Sequence, residues 1–233
     1  MNILSGTLTL TSKETVARDT ILMRFDSLVN DTAQQRLPFL PGQFVSMEFG
    51  PKAWRAYSIA SHPDEPQIEL LVRLVDGGVA SEVFRDAAVN TTFNFKGPFG
   101  HFLLTENPEA TLNFCATGTG IAPLRAMILE EAKNENPRTM RLFYGGRDKD
   151  DIAYLEDLQV WAPNIEIYLG LSQSDEAYPN AKKQRITTYL EDTEFEINDE
   201  FYLCGNGPMV KSVNALLAEK GINKTQIHQE RFN

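Results

Sequence analysis

The apolar residues of this chain change their rhythm once, near Pro98, and that change limits the available folds more than any other feature. From Leu8 to roughly Phe95 they come in short runs rich in β-branched and aromatic types and separated by turn formers, the pattern of an all-β unit. The expected strands are Thr20 to Phe25, Gln43 to Phe49, Trp54 to Ala60, Ile68 to Val75 and Thr92 to Phe95, with Pro41-Gly42 and Pro63-Asp64 as turns and one short helix, Ala80 to Arg85. After Pro98, strands (Thr111 to Ala116, Met140 to Tyr144, Ile165 to Leu171, Glu200 to Leu203) alternate with helical segments (Pro123 to Lys133, Ile152 to Trp161, Pro208 to Lys220). Such alternation signals a parallel sheet with helices on its faces. Gln226 to Phe232 reads as a last strand, and the polar stretch Gln173 to Gln184 as a mobile loop.

A chain of 233 residues can bury two modest cores. The expectation is two domains: an N-terminal antiparallel β-barrel over 1–104 and a C-terminal α/β parallel-sheet nucleotide-binding domain over 105–233. Thirty-two acidic against twenty-two basic side chains give a net charge of -10, which disfavours nucleic acid and anionic lipid. Met1 to Thr11 alternate like a strand and not like a signal peptide, and no stretch approaches the roughly 20 apolar residues that cross a bilayer. Two cysteines are too few for a disulfide framework, so a cytoplasmic, membrane-free setting is expected. His62, His101 and His228 lack metal-ligand spacing and read as surface or packing residues, and no metal site is expected.

Chemistry concentrates at a few short segments. In Arg55-Ala56-Tyr57-Ser58 the strand period puts Arg55 and Tyr57 on one face, a cation for phosphate beside an aromatic for stacking, although an ordinary barrel strand would also carry them. Arg73 precedes Gly77-Gly78-Val79-Ala80-Ser81 and the short helix, where backbone N–H groups and the helix dipole suit a pyrophosphate; a plain turn is the alternative. Thr117-Gly118-Thr119-Gly120-Ile121-Ala122-Pro123 joins an apolar strand to a helix, departs from GxGxxG spacing, and could be a tight turn. Two more glycine turns follow strands, Gly145-Gly146-Arg147 and Cys204-Gly205-Asn206-Gly207-Pro208-Met209. Three such turns line one sheet edge and form a crevice for an extended cofactor. Cys204 is expected at the mouth of that crevice, and Cys115 as an inert core residue.

Together, Arg55-x-Tyr57-Ser58, Gly118 to Pro123 and Cys204-Gly205-x-Gly207-Pro208-Met209 resemble the ferredoxin–NADP reductase superfamily over nearly the whole chain. The resemblance implies bound FAD, with Arg55 on its phosphates, Tyr57 on the isoalloxazine, Ser58 near N5, and Arg73 with Gly78, Val79 and Ser81 completing the pyrophosphate site. It further implies that NADH or NADPH enters along Thr117 to Pro123, the Gly146-Arg147 turn and Gly205 to Met209, and that Cys204, Glu230 and Phe232 flank the reacting rings. Glu230 and Phe232 share one face of the last strand, though a terminal Phe also serves simply as a core plug. The implied reaction is hydride transfer from nicotinamide to flavin, which needs the two rings within about 3–3.5 Å.

Where NADP-preferring relatives carry Ser-Arg, this chain has Ser172-Gln173, followed by Asp175, which leans the expectation to NADH; Lys182, Lys183 and Arg185 lie downstream as replacement cations. Two cysteines cannot hold an iron–sulfur cluster, so electrons are expected to leave to a separate ferredoxin, flavodoxin or oxygenase component. Arg36, Lys52, Arg138 and Arg141 are candidates for a basic docking patch. The alternatives are an NAD(P)H:free-flavin reductase and a non-catalytic flavin- or nucleotide-sensing subunit.

Overall fold

A computed structural model describes residues 3–26, 28–29, 35–51, 53–162, 164–174 and 181–232. Met1, Asn2, Lys52 and Asp175 therefore lie outside the described residues.

The first half is built from β1 (Leu4–Ala17), β2 (Thr20–Asp26), the short hairpin β3 (Leu28–Val29) and β4 (Gln35–Arg36), β5 (Phe44–Glu48), β6 (Trp54–Ser58), β7 (Gln67–Arg73), helix α1 (Val79–Asp86) and β8 (Thr92–Phe99). Six of these strands form one antiparallel sheet, β6-β5-β8-β1-β2-β7. An antiparallel bridge between Ile59 and Leu70 joins the two ends into a barrel. The interior follows from strict alternation: in β8, Phe93 and Phe95 are buried while Thr92, Asn94 and Lys96 are exposed. Leu8, Met23, Phe25, Val45 and Met47 complete that core. β1 runs well past the expected Thr11 because its first part pairs β8 and its second part pairs β2.

The second half contains β9 (Leu112–Thr117), α2 (Ile121–Glu131), β10 (Met140–Gly146), α3 (Leu158–Trp161), β11 (Ile165–Leu171), β12 (Ala181–Lys182), α4 (Ile186–Asp192), β13 (Glu200–Asn206), α5 (Gly207–Glu219) and β14 (Ile227–Phe232). Its strands form a parallel sheet, β12-β11-β10-β9-β13-β14. β9 and β13 are buried on both faces, as parallel strands between helices must be, and read as continuous apolar runs. The order reverses between β9 and β13, which places the ligand crevice of such a sheet beyond their carboxyl ends.

Two expectations about helices fail. Only Leu158–Trp161 of the expected Ile152 to Trp161 helix is helical, because Tyr154 takes a φ of 60° and turns its ring inward, edge-on to Trp161 at 5.3 Å. The apolar spacing was satisfied by buried turns instead. Conversely, α4 follows the stretch read as a loop, and Ile186, Thr187 and Thr188, β-branched residues with low helix preference, disguise its start.

The two halves share a continuous apolar core, in which Leu22, Ala60, Leu71 and Phe102 of the barrel side meet Leu124, Met127 and Tyr154. Arg125 on α2 is the main polar tie. It donates to the Ala60 carbonyl at 2.8 Å and to both Glu65 oxygens at 3.1 Å, stands 3.3 Å from Glu69, and lies over the Tyr154 and Trp161 rings. Burial lowers the pKa of this guanidinium, yet the surrounding carboxylates more than restore it. His62, 4% exposed, adds a 2.6 Å contact to Glu130 across the same interface. His228 stacks on Tyr202 and bonds Glu200, while His101 is exposed.

Candidate functional site

Between the halves lies a cleft of about 1030 Å³, walled by both of them. That exceeds what most single small ligands fill, roughly 300–1,000 Å³.

The barrel wall is the edge strand β6 and the segment around α1. Arg55, Tyr57 and Ser58 all face the cleft. Tyr57 is half-buried, held edge-on against Phe84 at 5.4 Å and Phe49 at 6.1 Å, so its ring is fixed before any ligand arrives. Burial pushes its phenol up to about 12, with Arg55 pulling the other way, and the hydroxyl stays neutral. Arg73, at the end of β7, and Gly78, Val79 and Ser81 continue the wall. Gly78 caps α1 without a side chain, leaving first-turn N–H groups open to a ligand. Ser81 Oγ accepts the Val75 N–H at 2.8 Å, so its own proton remains free to donate.

The opposite wall is backbone at strand ends. Thr117, Gly118 and Thr119 after β9, Gly146 and Arg147 after β10, and Gly205, Pro208 and Met209 after β13 line it. Gly205 has a φ of +148°, and a Cβ there would lie 2.3 Å from Thr117 Oγ1. Thr117 Oγ1 also accepts from the Asn206 backbone and side chain, and Asn206 caps α5 by accepting the Met209 N–H at 2.8 Å. Gly120, Pro123 and Gly207 do not face the cleft. Gly120 instead lets α2 close on β13, since a Cβ would stand 2.1 Å from the Cys204 carbonyl. Pro123 is buried in the first turn of α2, and Gly207 opens α5.

At one end the walls meet. Ser58 Oγ donates to Glu230 Oε2 at 3.1 Å, joining β6 to β14, and Phe232 stands beside them in the cleft. Burial raises the Glu230 pKa and the Ser58 bond only partly offsets it. Cys204 departs from its expected place: it is fully buried in β13, off the cleft wall. It pairs in register with Glu230, so the two side chains share a face of the sheet, with Cys204 covered beside the Ser58–Glu230 contact. Burial, then the Glu230 charge, pushes its thiol well up, and it is no nucleophile in this state.

The electrostatics invert the surface. Six arginines against three carboxylates line the cleft of a chain whose net charge is -10. Among the described residues Arg55, Arg73, Arg185 and Arg231 have no carboxylate partner. Uncompensated guanidiniums facing one another across glycine-rich backbone fit a polyanion. Ser172 also reaches the cleft, its Oγ donating to the Gly146 carbonyl at 3.2 Å. Arg18, Arg231 and Asp151 carried no sequence signal, because only the fold brings a β1–β2 turn, the last strand and the segment after β10 together. Two of the four candidates for a basic docking patch are engaged within the fold: Arg138 is 11% exposed and bound to Glu131, and Arg141 pairs with Glu166 and Asp199, while Arg36 is exposed.

Known proteins share this architecture. Residues 7–103 match the model of an oxidoreductase FAD-binding domain, and residues 114–215 that of an oxidoreductase NAD-binding domain. The chain is 30% identical over 210 residues to the electron transfer component of toluate 1,2-dioxygenase of Pseudomonas putida, 88% of this chain and 62% of that one. It thus spans about three fifths of the length of such curated relatives. It is also 30% identical to ferredoxin–NADP reductase B of Sorangium cellulosum, covering 84% of this chain and 86% of that protein. The crystal structure of the Amycolatopsis cytochrome P450 reductase GcoB superposes with a TM-score of 0.83 at 26% identity, over 99% of this chain and 70% of that chain. No helix among the described residues is long and apolar enough to cross a membrane. With matches to a FAD-binding and an NAD-binding domain and a 30%-identical relative aligned over more than four fifths of both chains, the chain belongs to the ferredoxin–NADP reductase superfamily.

Proposed function

We propose that this chain is a flavoprotein oxidoreductase that takes reducing equivalents from NADH or NADPH onto bound FAD and passes them to a separate acceptor, such as a ferredoxin, a flavodoxin or an oxygenase component. One observation carries the reading: a cleft rich in unpaired arginines ends where Ser58 and Glu230, from opposite walls, meet beside Phe232. FAD, when bound, supplies the redox chemistry, accepting reducing equivalents from nicotinamide and releasing electrons singly or in pairs.

The chain's own residues bind and orient. Arg55 and Arg73 hold the flavin phosphates with the N–H groups that Gly78 exposes and the Ser81 hydroxyl, while the fixed Tyr57 ring supports the isoalloxazine. Thr117, Gly118, Thr119, Gly205, Pro208 and Met209 hold the nicotinamide nucleotide by backbone approach, with Gly146 and Arg147 at its adenosine end. Ser58 places a proton donor at the meeting point, and Glu230 accepts from it in the present geometry. Phe232 closes that end against water. Gly120, Pro123, Gly207 and Cys204 lie off the cleft wall and support the site through the packing and backbone around it. The same reading divides the chain at 104/105, supported by Thr105, whose N–H donates to the Tyr202 hydroxyl on the sheet side. The preferred nucleotide is NADH, and the setting cytosolic, supported by two cysteines that are both free.

Purified protein tests this directly. FAD released from yellow protein, and bleaching of the bound flavin by NADH without oxygen, would support it. A colourless protein that turns over only with added flavin would replace it with a free-flavin reductase, and bound flavin that neither nucleotide reduces would replace it with a sensing subunit.

A further inference from the structure

The corner of the cleft at the end of β10 carries a charge arrangement that the binding roles above leave unexplained. Arg147 lines the cleft, yet its guanidinium is already occupied: Nε donates to Asp151 Oδ2 at 2.7 Å and Nη2 to Oδ1 at 2.9 Å, and the Arg147 backbone N–H adds a third bond to the same carboxylate at 2.9 Å. Asp151 is gripped from the barrel side as well, by Arg18 Nε at 3.1 Å, while Arg18 Nη2 bonds Asp148 with both oxygens. Of this network Arg18, Asp19, Arg147 and Asp151 line the cleft, two cations against two carboxylates, so this corner is balanced where the rest of the lining is cationic. The Asp151 side chain is only 16% exposed, and although burial pushes its carboxyl up, the Arg147 bonds outweigh that and keep it ionised.

Position along the sheet decides what this corner meets. Strands lie about 4.8 Å apart, so β10 stands three spacings, about 14 Å, from β14 and its Ser58–Glu230 contact. An extended dinucleotide with nicotinamide at Glu230 therefore puts its adenosine ribose near Arg147.

We propose that Asp151 is a specificity-determining residue for the nucleotide: by saturating Arg147 it denies a ribose 2′-phosphate that cation, favouring the dinucleotide without the third phosphate. The inference rests on the nucleotide reading above. Arg185 also lines the cleft without a carboxylate partner among the described residues, and its contribution is the same in the wild type and in the Asp151 variant. Asp151 acts through Arg147, so the effect of either residue depends on the other.

Calorimetric titration of the flavin-loaded protein with 5′-AMP and with adenosine 2′,5′-bisphosphate separates the possibilities without relying on turnover. Asp151→Asn keeps shape and an acceptor for the Arg147 N–H; it should tighten the bisphosphate about tenfold or more and leave 5′-AMP within about twofold. Arg147→Leu should change bisphosphate affinity little in the wild type and abolish the gain in the Asp151→Asn background. An unchanged bisphosphate-to-AMP ratio in Asp151→Asn, or a tenfold loss of bisphosphate on Arg147→Leu alone, would overturn the inference while leaving the nucleotide reading intact. Because Arg147→Leu does not depend on removing Asp151, it decides the matter even where Asp151→Asn folds poorly. Failure of the wild type to bind either nucleotide would sink both.

Discussion

The two walls of the cleft present different materials. The barrel offers side chains, Arg55, Tyr57, Arg73 and Ser81, on a strand edge and a short helix; the parallel sheet offers bare backbone, Gly118, Gly146 and Gly205, at its strand ends. A barrel strand alternates, so every second side chain can be spent on a ligand without touching the core. A parallel strand is buried on both faces, so its residues meet a ligand only where the strand stops. Substitutions on the barrel wall should therefore act through charge, and those at the glycines of the sheet wall through steric fit.

The largest expected effect sharpens how the walls are held together. Arg125→Met removes the guanidinium that ties α2 to Ala60 and Glu65, leaving Glu69 with Arg24 alone and Glu65 with the His62 N–H alone. Breaking a buried pair in this way costs about 3–5 kcal/mol, to be read as a lowered urea midpoint. Next, Gly120→Ala forces a methyl group onto the Cys204 carbonyl and should cost about 1–3 kcal/mol or more, whereas Gly207→Ala, with open space around its Cβ, should stay within about 0.5 kcal/mol. Equal effects at the two glycines would contradict the close packing of α2 on β13 that Gly120 permits.

On the barrel side, Arg55→Ala and Arg73→Ala should each lose about 1.5–3 kcal/mol of FAD binding, roughly 10- to 100-fold in Kd, with little change in urea midpoint. A fluorescence titration with FAD at two salt concentrations checks this, since the loss should shrink at high salt. The smallest effect concerns Glu230. Its pKa is raised in the folded state above the ordinary 4.5, so the folded protein holds that proton more tightly than the unfolded chain. Stability from this group is present below the unfolded value and is lost as pH rises through the folded one. Glu230→Gln should accordingly melt higher than wild type at pH 7, and the advantage should vanish by about pH 3.5; an advantage that grows on acidification would contradict the assignment.

The same contrast explains what could be read in advance. Alternation in Thr92–Phe99 and apolar continuity in Leu112–Thr117 announced the two sheets, because each pattern is the direct imprint of burial on one or both faces. Arg55, Tyr57 and Ser58 were legible as a cluster because a strand fixes their spacing. Cys204 was misplaced at the cleft mouth, since sequence shows where a strand ends but not how deeply neighbouring elements cover its last side chains. The Ile152–Trp161 segment failed for a related reason, because one left-handed residue, Tyr154, buries the same apolar groups without a helix. Arg18 and Asp151, 133 positions apart, meet only through docking of the halves, and nothing local marks either.

The most direct test of the central claim, that the cleft holds flavin and nicotinamide against one another at the Ser58–Glu230 contact, is anaerobic stopped-flow bleaching of bound FAD by NADH in wild type and Ser58→Ala. The account predicts rapid bleaching in the wild type, slowed at least about tenfold in Ser58→Ala while FAD content is unchanged. Bound flavin that bleaches at the same rate in both proteins, or that NADH and NADPH both leave oxidised in the wild type, would contradict it.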